Sequence, residues 1–426
     1  MSRSDNPRPN PFQRLVHLIL LVGPGIFCLG YTIGTGSVTS MAIAGSRFGM
    51  QLLWVLLLSC LFSWVLMEAY GRYAVVTGGT ALRGIRTHLR FGRFLALLTL
   101  TGVVIGQWTA LSGLVGLASN LIYESLRLFI PSVPENGYGA VIVIAAVILG
   151  ATYSLLFVGR YSFFEKILVV FVTIMGVGFI VSMFVVMPSP EEIARGLIPS
   201  IPDVKGATLL VVAFVGTTMA APTFVVRPLL MKGKGWGSDN RREQSRDAFV
   251  SALLVFIISG SIMACATGAL YYQGKSIENV LDMVTTLEPI AGRFAVGLFL
   301  VGTLSAGLSS IFPCAMVLPL LIADYRSGEL QVHTPMFRIL TGIACVAALT
   351  VPVFGANPLS AQIATQIAQV FVLPLVVGCI FFLVNRKDLM GEYRAGILMN
   401  IGIVAAFGFS LVMSYLGVIA LARMFS

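Results

Sequence analysis

Two apolar stretches of this chain hold glycine, proline and hydroxyl residues at a density that a membrane helix normally excludes. From Gly23 to Ser37 there are five glycines, Pro24, and the hydroxyls of Tyr31, Thr32, Thr35 and Ser37. Val211 to Pro228 carries Gly216, Thr217, Thr218, Met219, Ala220, Pro222, Thr223 and Pro228. Glycine costs a helix interior roughly 1 kcal/mol and proline about 3. In hydrocarbon the freed backbone groups must also find partners in protein or in a water-lined cavity. Close packing through small residues is the competing explanation; the recurrence of the pattern half a chain later favours unwound backbone at a binding site. Freed carbonyls, amide hydrogens and short hydroxyls are suited to holding a small ion or a small polar solute.

Chemistry of other kinds is missing. The six cysteines fall in apolar spans without a C-x-x-C pair, and His17, His88 and His333 are scattered, so neither disulfide framework nor metal cluster is expected. No phosphate-binding G-x-x-x-x-G-K-[ST] loop and no nucleophile constellation occurs, which argues against a nucleotide-driven pump and against an enzyme. No cofactor is implied. The first apolar run is too long for a signal peptide and lacks a small-residue cleavage motif. Two charges lie inside spans, Glu68 and Arg227. They read either as a coupling pair or as structural ion pairs, the simplest being Glu68 with Arg72 one helical turn away.

The elements that must position these residues follow from composition. Of 426 residues 57% are hydrophobic and 11% charged, against about 25% charged in soluble domains. With mean hydropathy +0.92 the chain is expected to be an all-α polytopic protein of the cell (inner or plasma) membrane, with the lipid bilayer as its partner. At roughly 20 residues per crossing, eleven spans are predicted: 14–45 (broken), 50–76, 94–121, 138–158, 162–187, 207–231 (broken), 247–273, 292–322, 336–354, 359–384 and 396–421. Twenty of the 28 Lys and Arg residues fall in loops on the side of the N-terminus. That end is expected to be cytoplasmic and the C-terminus outside, so the net charge of +10 reports topology rather than nucleic acid. The segment from Lys232 to Asp247 reads as a mobile cytoplasmic loop.

The broken spans are the first and the sixth, each the first of five. That symmetry predicts two five-helix repeats of opposite topology and an eleventh helix, with the site at the two breaks and a rocking bundle around it. The expected division is a tail at 1–13, repeats at 14–187 and 207–384 joined by an outer loop at 188–206, and a last loop and helix at 385–426.

Several motifs in order resemble the Nramp (natural resistance-associated macrophage protein) family of divalent-metal transporters. They are Gly23-Pro24-Gly25, Gly30-Tyr31, Ala44-Gly45, Phe48-Gly49 and Leu52-Leu53-Trp54, then Arg72 to Thr77-Gly78. Ala306 to Ser310, Leu373-Pro374 and Lys387 to Gly391 follow. The resemblance implies a LeuT-like 5+5 inverted-repeat fold and secondary active transport of a divalent metal. It also implies substitutions at the family's ligand positions. Gly34 stands where the family has a metal-binding Asp, Ser37 where it has Asn, and Ala220, beside Met219, where it has a methionine. Pro222 and Arg227 stand at two histidine positions, Ala110 and Gly113 at an acidic pair, and Gln366 matches.

What is left is a small hydroxyl-rich pocket of Thr32, Gly34, Thr35, Gly36, Ser37, Thr217, Thr218, Met219, Ala220, Thr223 and Gln366, which the glycines are expected to widen. A transition metal stripped of water needs anionic or several strong neutral ligands. Mg²⁺, by contrast, is often held through its waters. The expectation is a hydrated or hard divalent cation, with a small polar solute or a sensor that does not transport as the alternatives and the coupling ion left open.

Overall fold

The computed structural model describes residues 24–130, 137–157, 161–204, 206–278 and 288–425. The expected tail, residues 14–23 of the first span and the loop acids Glu135 and Asp282 lie outside them, as does the side chain of Glu165. Among the described residues every regular element is a helix.

Ten helices are long and apolar enough to cross a membrane, and a bent pair makes the eleventh span. That pair is span 1, made of Gly25–Thr32 (1a) and Thr35–Phe48 (1b), which meet at 52°. Span 6 is Ala207–Thr218 (6a) and Ala221–Gly233 (6b), interrupted at Met219 and Ala220 and bent less sharply than span 1. Span 2 is Leu53–Thr77, span 3 Gly92–Phe129, span 4 Tyr138–Phe157 and span 5 Tyr161–Val185. Span 7 is Arg241–Leu270 and span 8 Glu288–Arg326. Span 9 divides into Pro335–Ala347 and Thr350–Phe354, and span 10 into Pro358–Val370 (10a) and Leu373–Asn385 (10b); span 11 is Ile397–Phe425.

Three features differ from expectation. Pro222 and Pro228 do not make the break in span 6: Pro222 opens 6b, where its missing N–H costs nothing, and Pro228 rides inside a helix that continues. Span 7 starts at Arg241 rather than near 247, so Asp247 is buried in a helix and not part of a loop. Leu373-Pro374 marks a further interruption, because proline removes the donor that would join 10a to 10b.

The inverted repeat is visible in the packing. Span 1b lies along span 7, and five spans on, 6b lies along span 2; span 3 packs on 10a, and span 8 on span 5. Burial ranks the spans. The most apolar window of span 6 is 94% buried, against 33% for spans 4, 9 and 11. Those outer spans turn side chains such as Val147, Phe354 and Leu398 outward, the composition of a lipid-facing surface. Spans 1 and 6 therefore sit at the centre, enclosed by the others.

The end of the bundle carrying 1a and 6b is the basic one. There a helix at Ala81–His88 presents its first backbone N–H groups to the carboxylate of Asp324 at the end of span 8, with Leu82 N donating at 3.0 Å. A buried acid at a helix N-terminus is favoured by the dipole. Lys232, at the end of 6b, donates to the Gly328 carbonyl at 3.0 Å and pairs with Glu329 at 2.7 Å.

Candidate functional site at the two breaks

Unwinding leaves carbonyls that must be satisfied, and hydroxyls from neighbouring spans do most of it. Span 1a ends at Thr32 with Ile33 as its cap, and Gly34, in extended backbone, caps the start of 1b at Thr35. The Gly30 carbonyl accepts from Ser310 of span 8. Thr32 O accepts from Thr217 Oγ1 of 6a at 3.3 Å, a bond that joins one break to the other. At the second break Thr218 O accepts from Ser63 Oγ of span 2 at 2.9 Å, and Ala220 O accepts from Thr223 Oγ1 at 2.7 Å. Ser37 Oγ lies 3.4 Å from Ser259 Oγ of span 7. Thr217, Thr223 and Ser37 are thus engaged in holding the breaks together.

The remaining polar groups are buried and without a protein partner: Thr35 Oγ1, Thr218 Oγ1 and both amide atoms of Gln366, together with Oε1 of Gln362. Gln366 is 1% exposed and Gln362 3%. A buried unpaired polar atom costs about 1–3 kcal/mol, so this group is either strained or kept for a ligand. Gln362, which the sequence motifs do not single out, lies with these groups, against Gly36 and Gly113. Nothing in its spacing distinguishes it from Gln366 one turn away, and only packing reveals where it points.

The glycines do the opposite of widening a cavity. A Cβ on Gly34 would lie 2.4 Å from Ser310 Oγ, and one on Gly36 would lie 2.3 Å from Gln362 Nε2 and 2.6 Å from Gln366 Nε2. On Gly113 of span 3 it would meet Gln362 Oε1 at 2.4 Å, and on Gly216 the Gln366 carbonyl oxygen at 1.9 Å. The missing side chains admit span 10a against both breaks, bringing its two amides between span 1b and span 3. Thr32, Met219 and Ala220 are buried alongside. Among the described residues no group of three or more His, Cys, Asp or Glu side chains is arranged to hold a metal ion.

The two charges lie apart from the breaks. Glu68 Oε1 pairs with Arg72 at 2.9 Å and Glu68 Oε2 accepts from Gln244 Nε2 at 2.8 Å. Arg227 pairs instead with Asp247 at 2.7 Å, both side chains fully buried, so it is not the partner of Glu68. Asp247 escaped notice because its neighbours are charged and it was counted into a loop. Glu68 lines a pocket of about 730 Å³ with Arg72, Arg241 and Tyr393, and neither Gln362 nor Gln366 is among its lining residues. Glu68→Gln is therefore expected to leave substrate uptake and its pH profile unchanged, checked by initial rates across pH; loss of uptake with intact folding would put Glu68 on the transport route.

Facing breaks in the first and sixth of eleven spans, within an inverted repeat, define a membrane transporter of the LeuT-like class. The structures it resembles include a manganese transporter of Eremococcus coleocola in complex with an aromatic bis-isothiourea compound, at TM-score 0.72, 15% identity and coverage of 99% of this chain and 91% of that one. Mhp1, a nucleobase-cation-symport-1 family transporter with bromovinylhydantoin bound, aligns at TM-score 0.59 and 16% identity over 94% of this chain and 90% of its own. The chain belongs to the Nramp family of divalent metal cation transporters, matching the natural resistance-associated macrophage protein-like family over residues 25–420. Its relatives include the divalent metal cation transporters MntH of Acidiphilium cryptum, 24% identical with 96% of this chain and 91% of that one covered, and of Deinococcus radiodurans, 25% identical with 88% and 84% covered.

Proposed function

We propose that the protein is a secondary transporter that moves a hydrated, hard divalent cation of the Mg²⁺ type by alternating access. In this reading the substrate sits at the breaks of spans 1 and 6, and the basic end carrying 1a and 6b faces the cytoplasm. The observation that carries it is the set of buried, unpartnered oxygens at the breaks: Thr35 Oγ1, Thr218 Oγ1, Gln362 Oε1 and Gln366 Oε1. A hydrated ion presents water hydrogens to its surroundings and needs acceptors rather than anions, and Mg²⁺ gives up its waters reluctantly. Half-helices 1a and 6a end at the breaks and 1b and 6b begin there, so carbonyl ends and amide ends meet at the site and the free oxygens, not a net helix charge, are what faces the ion. A stripped Mn²⁺ would have neither carboxylate nor thiolate there. The family and the named transport of divalent metal by its relatives support the substrate class.

Gln366 Nε2, an unpartnered donor in the same place, supports a second reading in which a small polar solute offers it a carbonyl. Hexaamminecobalt(III), an exchange-inert shape analogue of a hydrated divalent ion, separates the two. It is expected to inhibit uptake of Mg²⁺ competitively in proteoliposomes of the natural protein. An ion bound through its own inner sphere, or an organic solute, would be indifferent to it.

A further inference from the structure

Arg227 and Asp247 are held at 2.7 Å with neither side chain exposed, deep in the half of the bundle that carries 1a and 6b. A buried pair of this kind is poor evidence for stability, because desolvating two charges cancels much of their attraction. Its connections point to another use. Asp247, on span 7, also accepts through Oδ1 from the backbone N–H of Gly25 at 3.2 Å. Gly25 is the first residue of helix 1a, and its N–H is one of the donors that a helix start leaves unpaired. The carboxylate therefore takes its place at the positive end of 1a while bonded to 6b through Arg227. Arg227 Nη2 further donates to Gln244 O of span 7 at 3.2 Å. Beside them Cys28 Sγ of 1a approaches the Thr223 carbonyl of 6b at 3.7 Å. Every residue of 1a is buried, packed against spans 5, 7 and 8 and against 6b.

We infer that Asp247 is the latch of the inner gate: its carboxylate holds half-helix 1a closed against 6b and span 7, and release of the Gly25–Asp247–Arg227 contact lets 1a swing away to open the site toward the cytoplasm. The inference rests on the alternating-access reading above and adds to it the group that restrains 1a. A permanent ion pair suits a latch, since it is strong when assembled in a dry interior and weak once water reaches it. It also accounts for Arg227 Nε, Arg227 Nη1 and Asp247 Oδ2 making no hydrogen bond although the pair is in ion-pair contact, groups that water satisfies on opening.

The protein carries its own reporters in six buried cysteines. In lipid nanodiscs without substrate, each thiol is alkylated by N-ethylmaleimide over time and quantified by mass spectrometry. Two variants are compared with the natural protein: Asp247→Asn, which keeps shape but not charge, and the paired Arg227→Met with Asp247→Leu, which keeps the volume apolar. In both, Cys28 on 1a is expected to react at least about tenfold faster, the factor that about 1.4 kcal/mol makes in an opening equilibrium; the paired variant carries the comparison, because Asp247→Asn also leaves the Arg227 charge beside the Cys28 thiol. Cys60, Cys265 and Cys379, on spans 2, 7 and 10, stay as protected as before. Cys28 remaining protected in both variants would overturn the latch. So would all four thiols gaining reactivity together in the paired variant, which is unfolding rather than gating. Because the readout is a thiol and not uptake, an error in the substrate assignment does not disturb it.

Discussion

Arg227→Met is expected to destabilise the protein by about 3–5 kcal/mol, the size seen when one member of a buried pair is left alone. The expectation follows from the enclosure of the partner. Asp247 is fully buried, and without the guanidinium its charge would retain only the Gly25 N–H as a near donor. Asp247→Leu alone is equally costly, because it strands a guanidinium that already lacks partners at Nε and Nη1. The double change is different in kind. With both charges removed and the volume refilled, no lone charge is left buried, so the double variant recovers most of the stability that either single change loses, short of the roughly 1.4 kcal/mol by which the closed position of 1a is weakened. Thermal unfolding in one detergent across the four proteins checks this as a double-mutant cycle. Single variants as stable as the natural protein would mean that the pair is solvated and not buried.

Gly216→Ala is expected to abolish uptake and to lower stability by about 1–3 kcal/mol or more, the range for overpacking a dense core. The added carbon would come within 1.9 Å of the Gln366 carbonyl oxygen and 2.7 Å of its carbonyl carbon. Backbone cannot rotate aside, so 6a and 10a must separate, carrying the Gln366 amide away from the break. Gly34→Ala is the milder companion: turning Ser310 Oγ, at the loss of its bond to Gly30 O, relieves the 2.4 Å contact, although Ser310 Cβ at 2.8 Å still has to shift by a few tenths of an ångström. The contrast between the two, read in unfolding temperature and in initial uptake rate, separates a backbone contact from a side-chain one. Equal tolerance of both would show that 10a is not closed on the breaks.

Much of this architecture could be read from residue types. Hydropathy located eleven spans, and glycine density located both breaks, because breaking a helix in hydrocarbon leaves a compositional trace. The first break appears at Ile33 and Gly34, within the glycine run. In span 6 the prolines drew attention to the wrong residues, since a proline at a helix start is compatible with the helix that follows. The site chemistry was harder to read. Whether Thr217 is a ligand or a clasp on Thr32 O depends on a contact between residues 185 positions apart. Gln362 and Gln366 look alike along the chain, and glycine was taken as room for a ligand when it is room for span 10a. Asp247 was hidden among charged neighbours for the same reason: burial at a helix start is a property of packing and not of local sequence.

The central claim is that the breaks offer neutral acceptors to an ion that keeps its water. Its most direct measurement is initial uptake of Mg²⁺ and of Mn²⁺, side by side, into proteoliposomes of the natural protein and of Gln366→Ala. The account predicts saturable Mg²⁺ uptake that Gln366→Ala removes, with Mn²⁺ carried no better than Mg²⁺. Preference for Mn²⁺ by roughly a hundredfold, about 2.8 kcal/mol, and kept in Gln366→Ala, would contradict it.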